Sequence, residues 1–393
     1  MRVLEVSHFL AFKLYRRKLA ALHDRHGFQV MACIPRGWRE DFIGIRGEEA
    51  DAGDGYKLVA RHALLNWRIW GPKRFHLFVL SPLVAADLKR FQPDIVAVDA
   101  EPYSLLALEM ALLRRLIVPR AKLVVHSSQS LLKRFPPPFR QFERFVLTQA
   151  DAACVRTEEI AAVLRAKGMR RPIHIVPHGV DVNLFTLDAR RDTNGTAALR
   201  IGYLGALHRQ KGVDVLLRAV ALMHGSRVLE IVGDGPERER LRALVRDLGI
   251  GDVVQFRGSV PHAATPAVIP MWDVLVLPSR TTRNVKEQFG RVLIEAMASG
   301  VPVVGSSSGE IPEVIGPAGR VFPENDAPAL ARVLDELAAR PELRASLSEQ
   351  ARRRAVDQYS WEAVADRVAK VYRELVCESL SWPMEHTPTS KGA

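Results

Sequence analysis

Apolar positions along this chain alternate between two rhythms. Short unbroken apolar runs are separated by stretches in which apolar residues recur every three or four positions. In the first half the runs predict strands at 3–7, 29–34, 57–61, 94–99, 122–127, 153–156 and 173–177. The three-and-four spacing predicts helices over 14–26, 82–91, 104–116, 139–149 and 158–167. Strands that are apolar on both faces need helices on both sides, so the alternation implies an α/β chain built on parallel sheets.

The pattern stops and then restarts. Between Thr186 and Ala198 the apolar period is lost and Asp, Arg, Asn, Gly and Thr gather, as in a linker. Strands are then expected at 200–205, 229–232, 253–256, 274–278 and 301–305, with helices at 212–223, 237–248, 289–299, 328–340 and 342–357. This divides the chain into a first domain over 1–185, a linker over 186–198, a second domain over 199–358 and a last amphipathic helix within 359–378. The polar, proline-containing tail 379–393 is expected to be disordered.

Composition narrows the class. With 393 residues, 48% of them apolar and 25% charged, the chain has material for two ordinary α/β domains. No leader layout opens the chain and no apolar run reaches the ~18–20 residues of a membrane-spanning helix. Cys33, Cys154 and Cys377 lie far apart, so neither a disulfide framework nor a zinc site is expected, and a reducing cytoplasm is. The net charge of +12 is unevenly spread: through Phe185 there are 29 Lys+Arg against 18 Asp+Glu, a surplus of 11. An anionic partner for the first half follows, a lipid surface or a phosphorylated acceptor ahead of nucleic acid, with a plainly solvated basic surface as the alternative.

Ligands of such sheets meet the loops after the strands. In the first half these loops carry Lys13 and Arg16, then Glu101 after the strand at 94–99, then His126 at the end of the strand at 122–127. They also include the basic, aromatic, proline-bent segment 131–140. The segment 66–75 has the same aromatic and basic character, suited to sugar stacking or an interface.

The stretch 274–319 carries the strongest signal. Glu287 and Glu295 stand eight residues apart around a helix start, and Ser306-Ser307-Ser308-Gly309-Glu310 precedes another helix. Glu287…Glu295-Ala296-Met297-Ala298, Gly300-Val301-Pro302-Val303-Val304 and Gly309-Glu310-Ile311-Pro312-Glu313 together resemble the family 4 glycosyltransferases, retaining enzymes of the GT-B fold. Pro177-His178-Gly179-Val180-Asp181 is similar to the segment that ends the family's first domain, with His178 where Asn is usual.

The resemblance implies a GT-B fold, two Rossmann-like doubly wound domains facing a cleft, with the final helix crossing back to the first domain. It implies transfer of a sugar from a nucleoside-diphosphate-sugar to a hydroxyl acceptor, with no cofactor and no metal. Glu287, Lys211 and His126 become the catalytic candidates. Glu295, Gly290, Val260, Ser308, Gly309, Glu310 and Ile311 fall on the donor side, Lys13, Arg16 and Glu101 on the acceptor side. The family's loop arginine is replaced by Ala206, and Arg209 is the candidate substitute. The chain lacks a P-loop and a D-x-D motif. Eight residues along a helix would span ~12 Å, beyond the reach of a glycosidase carboxylate pair. Glu287 is expected on the loop before the helix, so the spacing speaks against that reading without excluding it. A nucleotide-sugar epimerase of the same fold, or a non-catalytic anion-binding module, remains the alternative.

Overall fold

The structure is a computed structural model that describes residues 1–40, 45–46, 55–64, 78–80, 82–187, 198–283 and 285–380. The segment 66–75, most of the expected linker (188–197) and residues 381–393 lie outside the described residues.

Seven strands build the first sheet: β1 (Arg2–Ser7), β2 (Gln29–Pro35), β3 (Tyr56–Arg61), β4 (Ile95–Asp99), β5 (Lys122–Ser127), β6 (Ala152–Val155) and β7 (Ile173–Ile175). All pair in parallel, in the order β7-β6-β5-β4-β1-β2-β3. Val3 sits opposite Val30 on one side and Ile95 on the other, so at this level the central strand is flanked by apolar residues on both sides. The connecting helices are α1 (Lys13–His26), α2 (Leu83–Phe91), α3 (Leu105–Ile117), α4 (Phe139–Gln149) and α5 (Glu158–Ala166). Their starts obey capping chemistry: the Ser104 and Thr157 side chains accept from the amides of Ala107 and Ile160.

The second sheet holds β8 (Leu199–Leu204), β9 (Arg227–Val232), β10 (Val254–Gly258), β11 (Val274–Leu277), β12 (Val303–Ser306) and β13 (Gly319–Phe322). It is parallel, in the order β10-β9-β8-β11-β12-β13. This is the doubly wound order in which the chain reverses direction between the first and fourth strands. Its helices include α6 (Val213–Leu222), α7 (Arg238–Asp247), α8 (Arg291–Ala298), α9 (Ile311–Ile315), α10 (Ala327–Ala339) and α11 (Pro341–Arg354). β13 was not expected from the sequence, because four residues at a sheet edge with two of them out of the core carry little apolar signal.

The last helix, α12 (Trp361–Leu380), runs five residues past position 375, where its apolar spacing fades, and packs on α1 and the core of the first domain. Arg25 and His26 of α1 both hold Asp366, at 2.8 Å each. A Cβ on Gly179 would lie 2.1 Å from the Trp361 ring, so the indole closes directly onto bare backbone. Beside it the Val180 amide donates to the Tyr359 carbonyl at 2.7 Å. Arg352 adds bonds to the carbonyls of Phe185 (2.7 Å) and Val182 (3.1 Å). The chain thus crosses between domains twice, and the crossings are fastened to each other.

Candidate active site

The second sheet reverses direction between β8 and β11, and the loops leaving these two strands meet. The Arg280 amide donates to the Gln210 carbonyl at 2.8 Å. Lys211 ends a tight turn in the first loop, and its ammonium lies 2.7 Å from Glu287 in the second. Ser279 donates to the same carboxylate oxygen at 2.8 Å. Arg209 stands exposed two residues before Lys211, while the Ala206 carbonyl takes the Tyr203 hydroxyl at 3.0 Å.

The loop after β12 closes against the same residues. Gly309 has φ +53°, and a Cβ there would lie 2.0 Å from the Glu287 carbonyl oxygen. The Glu310 amide donates to that carbonyl at 3.2 Å. The Ser308 amide faces Ser306 Oγ at 3.4 Å, and the Ile311 amide donates to the Ser308 carbonyl at 3.2 Å. Three of the four amides over 308–311 are thus already engaged by protein acceptors. Ser308 is buried, with its hydroxyl 3.1 Å from that of Thr281.

Gly290 caps α8, which carries Glu295 inward. Glu295 is buried, with one carboxylate oxygen 3.1 Å from His262 Nε2 and 3.5 Å from Arg291. Val260 is half-buried, two residues before His262, in the loop after β10. Sequence reading did not single out His262 or Arg291. His262 lies 33 residues upstream of its partner, a separation no local pattern bridges. The i,i+4 spacing of Arg291 and Glu295 was the available signal for the other.

The first domain supplies the facing wall from its own strand ends. His126 lies at the end of β5 and is 2% exposed, and neither ring nitrogen has a hydrogen-bond partner among the described residues. Burial drives its pKa down to about 3 against the opposing pull of Asp99, so the ring is neutral at ordinary pH. Burial also works against ionising Asp99, but His126, Arg156 and Lys18 prevail and hold it well below the usual carboxylate range. Glu101 accepts from Ser127 Oγ (2.8 Å) and the Ser128 amide (2.9 Å), and burial raises its pKa. It therefore fastens one strand-end loop to the next.

Two basic residues in the first turns of α1 lie inside this domain. Arg16 is 1% exposed, donating to the carbonyls of Leu10 (2.6 Å) and Ala11 (3.0 Å). Its place on the acceptor side is corrected: it clamps the loop before α1. Lys18 is buried against Glu5 at 2.5 Å. Lys13, at the start of α1, is exposed.

The two walls touch through the Glu287 loop. Gln288 donates to the Ser128 carbonyl at 2.7 Å, Lys286 pairs with Glu159, and the Phe289 ring lies 5.1 Å from His178. Arg291 donates to the Tyr15 hydroxyl at 2.8 Å and lies over its ring. Among the described residues, no group of His, Cys, Asp and Glu gathers as metal ligands would. A cavity of about 420 Å³ lined by Leu199, His224, Asp335 and Arg344 opens at the starts of the second sheet's strands and contains none of these groups.

Two parallel doubly wound sheets, joined by crossed connections and meeting at their strand ends around a lysine–glutamate pair, define the GT-B class of glycosyltransferase. Comparison with known proteins agrees. The family described as Glycosyltransferase Family 4 matches residues 16–184, and that described as Glycosyl transferases group 1 matches residues 190–354. The chain belongs to glycosyltransferase family 4. It is 30% identical over 345 residues to the GDP-mannose-dependent alpha-(1-6)-phosphatidylinositol monomannoside mannosyltransferase of Mycolicibacterium smegmatis, covering 82% of this chain and 86% of that one. With the D-inositol 3-phosphate glycosyltransferase of Corynebacterium jeikeium it shares 32% over 264 residues, 62% of each protein. Among solved structures, sucrose-phosphate synthase from Thermosynechococcus elongatus has a TM-score of 0.72 at 21% identity, covering 96% of this chain and all of that one. Anabaena HepE in complex with UDP has a TM-score of 0.71 at 16% identity, covering 95% of this chain and 100% of that chain.

Proposed function

We propose that this enzyme moves a sugar from a nucleoside-diphosphate-sugar to a hydroxyl acceptor with retention of anomeric configuration and without a metal ion. The observation that carries the reading is the Lys211–Glu287 pair at the switch point of the second sheet, 2.7 Å apart. A doubly wound sheet binds its ligand at that crevice. Lys211 is the cation positioned for the diphosphate, and its charge stabilises the leaving group as the glycosidic bond breaks. Glu287 would accept from hydroxyls of the transferred sugar and Glu295 from those of the ribose. His126 offers the sugar a neutral ring whose two nitrogens have no partner among the described residues. Front-face attack then uses the departing phosphate as base for the acceptor hydroxyl, and the contacts made by Lys286, Gln288 and Arg291 keep water out.

The UDP held by Anabaena HepE supports a nucleotide donor, and the Mycolicibacterium relative named for GDP-mannose supports the same class. The chain would work in the cytoplasm, peripheral to an anionic membrane, a location favoured by the surplus of 11 Lys and Arg through Phe185. No helix among the described residues is long and apolar enough to cross a membrane. The deciding experiment is thermal stabilisation by UDP-, GDP- and ADP-sugars. A rise with one base is expected, and no rise with any of them counts against the donor assignment. Release of free nucleoside diphosphate with no acceptor product would favour an epimerase.

A further inference from the structure

Residues 82–151 include α2, α3 and α4, a helical layer in which α3 lies between the other two. This stretch contains seven acids, and every one is engaged inside the protein. Asp87 pairs with Arg61, Glu143 with Lys167 and Asp151 with Arg114, each at 2.6 Å. Asp94, Glu101 and Glu109 accept from the amides of Arg2, Ser128 and Leu80, and Asp99 faces Arg156. Eight bases of the same stretch are exposed, so every exposed charge between residues 82 and 151 is positive.

Leucines are interleaved with these bases. Leu116 is 76% exposed, Leu132 61%, Leu83 51% and Leu112 40%. On α3 the outer row is Leu112, Arg115 and Leu116, opposite the buried Leu106, Met110 and Ala111. On α4 Arg140 and Arg144 stand one turn apart, away from the buried Val146. A soluble acidic ligand uses the charges and has no use for bare leucines, whereas the headgroup zone of an anionic bilayer takes both.

We propose that the outer face of α2, α3 and α4 docks on an anionic lipid bilayer. This deepens the peripheral location given above by naming the surface and its partner, and it rests on that reading for its link to transfer. The docked face ends in the loop around Leu132, which follows Ser128, and the Ser128 carbonyl takes Gln288 across the cleft. Docking there brings a membrane-borne hydroxyl to the cleft mouth.

The test is sedimentation of the full chain with vesicles of phosphatidylcholine alone or mixed with phosphatidylglycerol. Binding is expected only to the mixed vesicles, and is lost at high salt. Arg115→Gln, Arg120→Gln and Arg144→Gln together should weaken it on the order of 100-fold, about fivefold for each base. Leu116→Ser with Leu132→Ser should weaken it on the order of tenfold. Arg246→Glu with Arg332→Glu, on the second domain, should leave it unchanged. All these positions are exposed, and an unaltered thermal midpoint checks the fold. Absence of binding at low salt, or a triple variant that binds like wild type, overturns the proposal. Equal capture of inorganic polyphosphate that is indifferent to the leucine changes also overturns it, in favour of a soluble polyanion. Donor-dependent release of nucleoside diphosphate, followed in parallel without vesicles, tests the transfer reading separately, so either can fail alone.

Discussion

Replacing Lys211 by alanine separates its two roles. In the free protein its ammonium faces Glu287 at 2.7 Å, with the two side chains 28% and 13% exposed. Deleting it leaves a carboxylate that still holds Ser279 at 2.8 Å and reaches solvent. The stability cost should therefore be about 1–2 kcal/mol, below the ~3–5 of a fully buried broken pair. The donor cost is separate: a diphosphate loses a charge-assisted contact worth ~1.5–3 kcal/mol, on the order of 10- to 100-fold in affinity. Calorimetry with the nucleoside diphosphate alone, lacking the sugar that Glu287 would hold, isolates this term. Adding Glu287→Gln removes the stranded charge, so the double variant should regain stability and remain weak for the diphosphate. If Lys211→Ala binds as wild type, or if the second change restores affinity, the lysine merely neutralises Glu287 and the proposed chemistry is wrong.

Other outcomes are open to simple measurement. His126→Phe should cut kcat/KM by at least ~10-fold while the thermal midpoint holds or rises, since a buried unpaired polar group is removed; full activity would take His126 out of the site. Because its folded pKa is about 3 against an ordinary 6.5, the unfolded chain binds the extra proton as pH falls through that window. Stability should then drop with acidification by up to ~1.4 kcal/mol per pH unit from this group, and denaturant titrations of His126→Phe should show a shallower loss. Gly309→Ala must displace the Glu287 carbonyl, so diphosphate binding should weaken on the order of tenfold at a stability cost of about 1–3 kcal/mol; unchanged binding would detach this loop from the site. The product's anomeric proton should report by NMR the α configuration of the donor, and a β product would refute retention.

The strand and helix rhythm was legible because parallel strands are buried on both faces, where Val3, Leu4 and Val6 or Leu275, Val276 and Leu277 admit only apolar residues. The second-domain motif was legible because its residues are local in sequence and share one loop–helix–strand unit. Side-chain destinations were not. Arg16, at the opening of a helix rich in Lys and Arg, reads as surface, yet it turns back on the Leu10 and Ala11 carbonyls. Lys18 reads the same way, and only the neighbouring strand reveals Glu5 beneath it. The loop amides of Ser308, Glu310 and Ile311 looked available because their acceptors come from the fold. In each case the deciding partner is set by tertiary packing, which hydrophobic periodicity does not encode.

The loop that carries Glu287 alternates its allegiance residue by residue. Lys286 reaches the first domain, Glu287 the lysine of the second, and Gln288 the first again. A strip with two working sides is constrained in length as tightly as in identity. Deleting one residue before Glu287 would turn the interdomain contacts toward the donor crevice and the carboxylate toward the other wall. Point substitutions here remove one contact at a time, whereas a single-residue insertion or deletion exchanges the two faces and disables both at once.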